Sequence, residues 1–175
     1  AEVKKSFLAE WGPKLTSDEV PISPYRVFSE LASAVDVANT IITHDSGSPR
    51  EQLLPFWETV APRTYMGWGK STQLGYGLGI IMGAKLAEPD KLCINVMGDA
   101  AIGMVGMDIE TAVRNGIGIL TVVLNNGVMA IERKVMAYAT EVYGALAQGG
   151  NYTQVADALG AWSKRVERVN DFLPS

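Results

Sequence analysis

Two apolar runs in the middle of the chain restrict the possible folds more than any other feature of the sequence. Residues 92–97 and 117–124 each have the length of a strand and are mostly apolar. A stretch with helical periodicity, about 105–115, lies between them. Strands that are apolar on both faces and joined by a helix are typical of parallel sheets. We therefore expect a β-α-β unit with a right-handed crossover, in a three-layer α/β fold whose mostly parallel central sheet is flanked by helices.

The composition excludes several classes of protein. The chain has 175 residues, of which 47% are apolar and 19% charged, and its formal net charge is −4. This suits a globular domain with a real core, and a net-acidic chain is not expected to bind nucleic acid. The apolar window 115–131 is interrupted by Asn and Gly, so we expect no membrane span, which needs about 20 mostly apolar residues. With one cysteine, Cys93, and no signal-peptide core, the sequence predicts a cytoplasmic protein.

The N-terminal segment differs in character from the rest of the chain. Residues 1–20 are mixed and charged, and Gly12-Pro13 is expected to break any helix there. We interpret 1–20 as a linker or N-terminal arm, and 21–175 as the domain. Periodicity and turn residues predict the other elements: a helix that begins at Ser23-Pro24, a strand over 40–43 with a polar loop over 44–49, a helix over 71–87, a helix over 129–137, a glycine-rich loop over 144–150, a short helix near 155–159 and a strand near Val166.

Polar residues follow the predicted strands at 44–48, 98–101 and 125–128. Ligands of open α/β sheets bind beyond the carboxyl ends of the strands. Asp99 and Asn126 are one crossover apart, so on neighbouring strands, about 5 Å apart, they could contact one cation. Mg²⁺ typically takes few protein oxygens and fills its shell with phosphate and water, while the backbone N–H groups of the next helix would face the phosphates.

Each motif has a simpler interpretation. A Gly-Asp pair after a strand is often a turn with a helix cap, and Asn-Asn-Gly is a common turn sequence. Their joint position at the ends of successive strands favours a Mg²⁺–diphosphate site.

These motifs resemble a known family. Gly98-Asp99, followed one unit later by Asn125-Asn126, is similar to the thiamine diphosphate signature of the pyruvate-oxidase, acetolactate-synthase and 2-oxo-acid decarboxylase group. The similarity extends over about 22–166. The quoted motifs that support it are Met66-Gly67-Trp68-Gly69, Gly75-Tyr76-Gly77-Leu78-Gly79, Gly83-Ala84-Lys85-Leu86-Ala87-Glu88-Pro89-Asp90, Glu110-Thr111-Ala112-Val113-Arg114 and Val155-Ala156-Asp157-Ala158-Leu159-Gly160.

The resemblance implies a role for individual residues. Side-chain oxygens of Asp99 and Asn126 and the backbone carbonyl of Val128 would bind Mg²⁺. Glu132 would point towards the substrate and is the candidate catalytic residue, although it is equally compatible with a solvated helix position near Arg133. The cofactor-binding set implied by the resemblance is Ser46, Gly47, Ser48, Gln73, Leu74, Gly98, Asp99, Ala100, Ala101, Asn126, Val128, Met129, Ala130 and Ile131.

The resemblance also implies components outside this chain. In the family a Glu from another domain, usually of a partner subunit, protonates the aminopyrimidine. We therefore interpret the chain as the C-terminal diphosphate-binding domain of a longer enzyme, inactive alone, that forms a homodimer or homotetramer and acts on a 2-oxo acid. FAD in a further domain is left open.

The reaction also stays open at this stage. The family's Gly-Asp-Gly-Ser is Gly-Asp-Ala-Ala here, and Ser48-Pro49-Arg50 replaces the Gln-His-Gln of many acetolactate synthases. Decarboxylation with carboligation, simple decarboxylation and a non-catalytic cofactor-binding or assembly module are the alternatives. An NAD site is disfavoured because the glycine run at 75–79 is not G-x-G-x-x-G and follows no strand. His44, the only histidine, is either catalytic or a hydrogen-bonded structural residue.

Overall fold

Four parallel strands form the central sheet of the computed structural model, which describes residues 2–67 and 73–172. The strands are β1 (Thr40–His44), β2 (Tyr65–Met66), β3 (Leu92–Gly98) and β4 (Leu120–Leu124), and their order in the sheet is β2-β1-β3-β4. Every pairing is parallel. The predicted α/β fold with a parallel sheet is thus confirmed, and β3 and β4 are neighbours joined by a helical crossover.

Eight α-helices accompany the sheet in the described ranges. They are α1 (Glu2–Leu15), α2 (Pro24–Ala34), α3 (Ser48–Leu53), α4 (Tyr76–Ala87), α5 (Asp99–Val105), α6 (Asp108–Arg114), α7 (Ala137–Tyr143) and α8 (Tyr152–Ala158). Short 3-10 helices occupy Val37–Asn39, Ile131–Lys134 and Val169–Asp171. Within the described part of the chain, no helix has the length and apolar character needed to cross a membrane.

The core lies on both faces of the sheet because side chains alternate along β3. Ile94 and Val96 face α2 and α3, where they pack with Phe28, Leu31 and Leu53. The alternate residues of β3 face the opposite way: Cys93 packs against α4, and Met97 packs against α4, α5 and α6. Helices thus cover the two faces of the sheet, as the three-layer prediction requires.

The N-terminal segment differs from its prediction. The expected break at Gly12-Pro13 is absent, and α1 continues to Leu15 with Pro13 inside it. Pro13 lies in the last turn, so the missing N–H affects only the end of the helix. The aromatic rings of Phe7 and Trp11 pack against Phe56, and these contacts give the helix a partner surface.

The helix predicted over 105–115 is confirmed as α6, which spans Asp108–Arg114 and buries Ile109 and Ala112. A separate helix, α5, precedes it and begins directly at Asp99. The helix predicted over 71–87 begins only at Tyr76; its first two residues lie outside the described residues. The polar loop predicted over 44–49 is shorter, because α3 begins at Ser48.

The C-terminal third departs further from prediction. β4 covers only Leu120–Leu124 of the predicted 117–124, and it is partly exposed because it is an edge strand among those described. The helix predicted over 129–137 is wrong, because this range forms only the short 3-10 helix Ile131–Lys134 before α7 begins at Ala137. The chain before it is bonded to the loop at 144–150, through the Val128–Ala147 bridge and the Met129 N–H bond to Leu146. The strand predicted near Val166 is also wrong: Lys164, Arg165 and Glu167 surround this single valine, leaving no apolar face to bury. The short helix near 155–159 is confirmed as α8.

Candidate functional site

Three polar turns meet at the carboxyl edge of the sheet. His44 at the end of β1 lies beside Val96 of β3. Gly98 at the end of β3 lies beside Leu124 of β4. The turns that follow β1, β3 and β4 therefore lie side by side, because the three strands are adjacent and parallel. Asp99 and the turn with Asn126 thus lie at the ends of neighbouring strands.

An open groove of about 1650 Å³ begins at this edge and continues along β4. It contains almost the whole predicted set of site residues, which come from five separate segments of the chain. Gln73 is the exception: it is exposed and does not line the groove. The predicted residues that line the groove are Ser46, Gly47, Ser48, Leu74, Gly98, Asp99, Ala100, Ala101, Asn126, Val128, Met129, Ala130, Ile131 and Glu132.

The carboxylate of Asp99 is the most deeply buried charged group in that set, with 2% of the residue exposed. Its Oδ1 accepts the backbone N–H of Ala100 at 2.9 Å, and its Oδ2 accepts that of Gly127 at 2.6 Å. The second bond links the end of β3 directly to the turn after β4. No ion pair to Asp99 occurs among the described residues. The negative charge therefore faces the groove with backbone donors alone, an arrangement that favours a cationic ligand.

Backbone bonds to the glycine-rich loop hold the turn after β4 in place. Gly127 accepts from the N–H of Gln148 at 2.9 Å, and the N–H of Met129 donates to the carbonyl of Leu146 at 3.0 Å. The Oδ1 atom of Asn126 accepts the N–H of Val128 at 3.1 Å. The loop at 144–150 thus orients the carbonyl and amide groups at the edge of the groove.

The groups at this edge that could bind a metal ion all offer oxygen atoms. They comprise the Asp99 carboxylate, the Asn126 amide and the backbone carbonyl of Val128, a set that suits a hard cation such as Mg²⁺. Among the described residues, no three His, Cys, Asp or Glu side chains are grouped closely enough to hold a metal. A metal here would accordingly need further ligands from a bound anion or water, and the residues present fit that requirement.

Sequence reasoning missed the buried residue Asp45, which follows β1. Its Oδ1 accepts the N–H groups of Ser46 and Gly75, both at 2.8 Å, and its Oδ2 accepts that of Gly77 at 3.4 Å. Desolvation by burial raises the pKa of Asp45, and these hydrogen bonds oppose the shift. The carboxyl thus caps the start of α4. The only signal in the sequence was an Asp after a strand, because the donor Gly75 is distant along the chain.

His44 is buried beside the same helix start. Its Nδ1 lies 3.1 Å from the carbonyl of Asp45 and 3.3 Å from the hydroxyl of Tyr76. It does not line the groove. Of the two interpretations that the sequence left open, this environment favours the structural one.

Glu132 lies in the short 3-10 helix Ile131–Lys134 and is half-buried at the groove. Neither Arg133 nor Lys134 forms an ion pair with it in the described structure. Glu132 therefore lines the groove without an ion-pair partner among the described residues.

Residues 45–175 match a family of proteins described as "Thiamine pyrophosphate enzyme, C-terminal TPP binding domain". This chain belongs to the thiamine pyrophosphate enzyme family. The matched range begins at Asp45 and includes all three polar turns at the carboxyl edge of the sheet. Thiamine pyrophosphate is another name for thiamine diphosphate, so the resemblance read from the sequence motifs is confirmed.

Similar proteins of the thiamine pyrophosphate enzyme family carry different names. A probable acetolactate synthase of Mycobacterium bovis is 29% identical over 164 residues, which are 93% of this chain and 30% of that protein. A sulfoacetaldehyde acetyltransferase of Alcaligenes xylosoxydans xylosoxydans is 30% identical over 156 residues, 88% of this chain and 26% of that protein. A 2-hydroxyacyl-CoA lyase of Arabidopsis thaliana is 29% identical over 117 residues, 65% of this chain and 20% of that protein. The chain thus spans less than a third of each relative, and the three names describe three reactions.

Proposed function

We propose that this domain holds thiamine diphosphate through a Mg²⁺ ion and supports decarboxylation of a 2-oxo acid followed by carboligation, in the manner of an acetolactate synthase. One observation carries the proposal. The buried carboxylate of Asp99, without a cation partner among the described residues, lies at the sheet edge beside the Asn126 turn. A divalent cation would neutralise this carboxylate and join it to a diphosphate.

Three residues would bind the cation. Each Asp99 oxygen accepts one backbone N–H in the structure and keeps a lone pair for a metal. The Asn126 amide oxygen, which accepts one N–H, also keeps one. The carbonyl of Val128 completes the set. Three protein oxygens leave about three positions of an octahedral Mg²⁺ for phosphate oxygens and water.

The remaining residues of the groove would contact the rest of the cofactor. We assign Ser46, Gly47, Ser48, Gly98, Ala100 and Ala101 to the diphosphate end, because they surround the carboxyl edge of β1 and β3. Leu74 and residues 129–131 supply apolar surface for the ring portion. Gln73 is assigned to the aminopyrimidine only because it occupies the corresponding position of the family motif. It does not line the groove.

When bound, thiamine diphosphate supplies a nucleophilic carbon that attacks the substrate carbonyl. The residues of this chain would bind and orient the cofactor, and Glu132 at the groove would face the substrate.

We propose that the acid that activates the aminopyrimidine comes from another domain, so that this chain is inactive alone. We also propose that the whole enzyme is a cytoplasmic homodimer or homotetramer. FAD in a further domain stays an open proposal.

A simple 2-oxo-acid decarboxylase is the second candidate. Its support is the half-buried carboxyl group of Glu132 at the groove, since a carboxyl group near the reacting carbon can, in its protonated form, deliver the proton that ends a decarboxylation. Product analysis with pyruvate distinguishes the candidates, because carboligation yields acetolactate and simple decarboxylation yields acetaldehyde. A domain that binds the cofactor without turnover would give neither product.

The cofactor assignment is tested by calorimetry on the full-length protein that contains this chain. We expect thiamine diphosphate to bind only with Mg²⁺ present, and a chelator to abolish the binding. Asp99→Ala should weaken the affinity by roughly 100-fold or more, since even groups that only orient metal ligands are worth about 10–100-fold.

Two adjacent asparagines provide a matched control. Asn126→Ala removes a proposed metal ligand, whereas Asn125→Ala removes an amide whose Oδ1 accepts the N–H of Gly127 at 3.2 Å. We expect Mg²⁺-dependent binding to weaken strongly in Asn126→Ala and to change little in Asn125→Ala. Equal affinities for the two variants, or binding by wild type in the absence of metal, would contradict the assignment.

A further inference from the structure

The start of α4 is held by a buried carboxylate that the proposed function does not use. Asp45 is fully buried, and both of its oxygens lie within 3.0 Å of the Gly75 N–H. The same carboxylate also accepts the N–H groups of Ser46 and Gly77. No ion pair to Asp45 occurs in the part of the chain that the structure describes. Burying a carboxyl group is costly, and here the backbone donors of Ser46 and of the Gly75–Gly77 turn offset that cost.

That turn has little freedom to relax. Gly75 has φ +94°, and a Cβ added to it would lie 2.4 Å from Cγ1 of Val105 at the end of α5. A Cβ on Gly77 would lie 2.6 Å from Oδ1 of Asn95 in β3. The turn is therefore fixed from two sides, by α5 and by the sheet, and Asp45 supplies the hydrogen bonds that hold it between them.

Leu74 directly precedes this turn, and its side chain connects the position of the turn with the lining of the groove. It lines the groove and packs against the apolar cluster of α4, α5 and α6. Its backbone continues into the Gly75 N–H that Asp45 binds. A small movement of the Gly75 turn would therefore displace the Leu74 side chain relative to the groove.

We propose that Asp45 is a positioning residue of the cofactor site, which holds the Leu74–Gly75 turn so that Leu74 supports the aminopyrimidine ring of thiamine diphosphate. This inference rests on the proposed function. Asp45 accepts N–H groups from two residues of this turn and from only one residue, Ser46, that is assigned to the diphosphate end, so its effect should be larger for ligands that carry the ring. A carboxyl that only stabilises the fold would not distinguish between such ligands.

Asp45→Asn provides the test, because it keeps the shape of the side chain and replaces one acceptor oxygen with an NH₂ group facing N–H donors. The full-length protein is titrated in Mg²⁺ with thiamine diphosphate and, separately, with inorganic pyrophosphate, which lacks the ring. We expect the affinity for thiamine diphosphate to fall about tenfold, as for the loss of one hydrogen bond to a charged group. The affinity for pyrophosphate should stay within about twofold, a change of under about 0.5 kcal/mol.

Two further variants complete the comparison. Asp36→Asn is the matched control, because the Asp36 carboxylate also accepts a backbone N–H at a short helix, that of Ala38 at 3.1 Å, and Asp36 does not line the groove. It should alter neither affinity. In a Leu74→Ala background, Asp45→Asn should cause no further loss for thiamine diphosphate, since residues that act as one unit are not additive.

Several results would overturn the inference. One is an equal loss of affinity for both ligands in folded Asp45→Asn, and another is the full tenfold loss in the Leu74→Ala background. Thermal unfolding establishes that each variant is folded. If Asp45→Asn does not fold, Asp45→Ser, which keeps a small oxygen acceptor, carries the same comparison with the same expected order. A wild-type protein that binds neither ligand would refute the proposed function itself, which separates that failure from this one.

Discussion

The single histidine shows how one residue responds to the site around it. Burial lowers the pKa of His44 below its ordinary value of 6.5, and the charge of Arg50 acts in the same direction. The hydrogen bond to the Asp45 carbonyl and the charge of Asp45 oppose the shift. Because the folded protein disfavours the charged imidazole, the unfolded chain takes up the proton first as the pH falls. The stability that His44 contributes is therefore complete above pH 6.5 and is lost as the pH falls through its folded pKa.

We accordingly predict that the imidazole titrates below pH 6.5 in the native state. As this chain has one histidine, its proton NMR titration can be followed in the domain without ambiguity. The free energy of unfolding should decrease as the pH falls from 6.5. In His44→Gln, which keeps a neutral polar side chain, that decrease should disappear. A native pKa at or above 6.5 would show that the ring is not held in its neutral form.

At the same scale, the sequence indicated some site residues and concealed others. Asp99 and Asn126 were recognisable as candidates because they lie within two residues of a strand end, and parallel strands end at one edge. Asp45 also follows a strand, but its partners Gly75 and Gly77 lie 30 and 32 residues away. No local sequence pattern pairs a carboxylate with such distant N–H groups. The role of Asp45 at the start of α4 is therefore visible only in the folded structure.

At the scale of elements, α4 lies close against the sheet at Gly77. A Cβ at this position would lie 2.6 Å from Oδ1 of Asn95 and 3.1 Å from the carbonyl oxygen of His44. We predict that Gly77→Ala destabilises the protein by about 1–3 kcal/mol, the usual cost of overpacking a filled core. Denaturant unfolding measures the change.

Gly79 in the same helix supplies the control. A Cβ there would meet no atom within 4 Å, so Gly79→Ala should stabilise the protein by about 0.5–1 kcal/mol through its better helix propensity. Opposite signs for the two substitutions are expected. Destabilisation of equal size at both positions would show that α4 does not pack against β3 in this way.

The elements that were predicted well share one property. β1 and β3 are buried along nearly their whole length, so an apolar run in the sequence identifies them. The helix start at Asp99 and the 3-10 helix Ile131–Lys134 lie beside contacts between distant segments, since Gly127 donates to the Asp99 carboxylate and Val128 pairs with Ala147. The periodicity of apolar residues along the chain does not reveal such contacts. This explains why the boundaries of these helices were not predicted correctly.

At the scale of the whole molecule, α1 is the element whose relation to the rest differs most from expectation. The ring centroids of Phe7 in α1 and Phe56 after α3 are 5.5 Å apart, and those of Trp11 and Tyr25 are 5.3 Å apart. The Lys14 ammonium lies 4.5 Å from the Trp11 ring centroid. A segment docked through several rings should unfold together with the body of the protein, whereas a flexible arm would exchange its amides independently.

We therefore predict a measurable coupling between Phe7 and Phe56. A double-mutant cycle of Phe7→Ala and Phe56→Ala should give an interaction energy of about 0.5–1.5 kcal/mol, as for other aromatic pairs. Val3 in the same helix is 83% exposed, so the cycle of Val3→Ala with Phe56→Ala should give no coupling. Hydrogen exchange should show α1 amides protected in wild type and less protected in Phe56→Ala. No coupling between Phe7 and Phe56, with α1 amides that exchange as fast as an unfolded peptide, would support the interpretation of residues 1–20 as an arm.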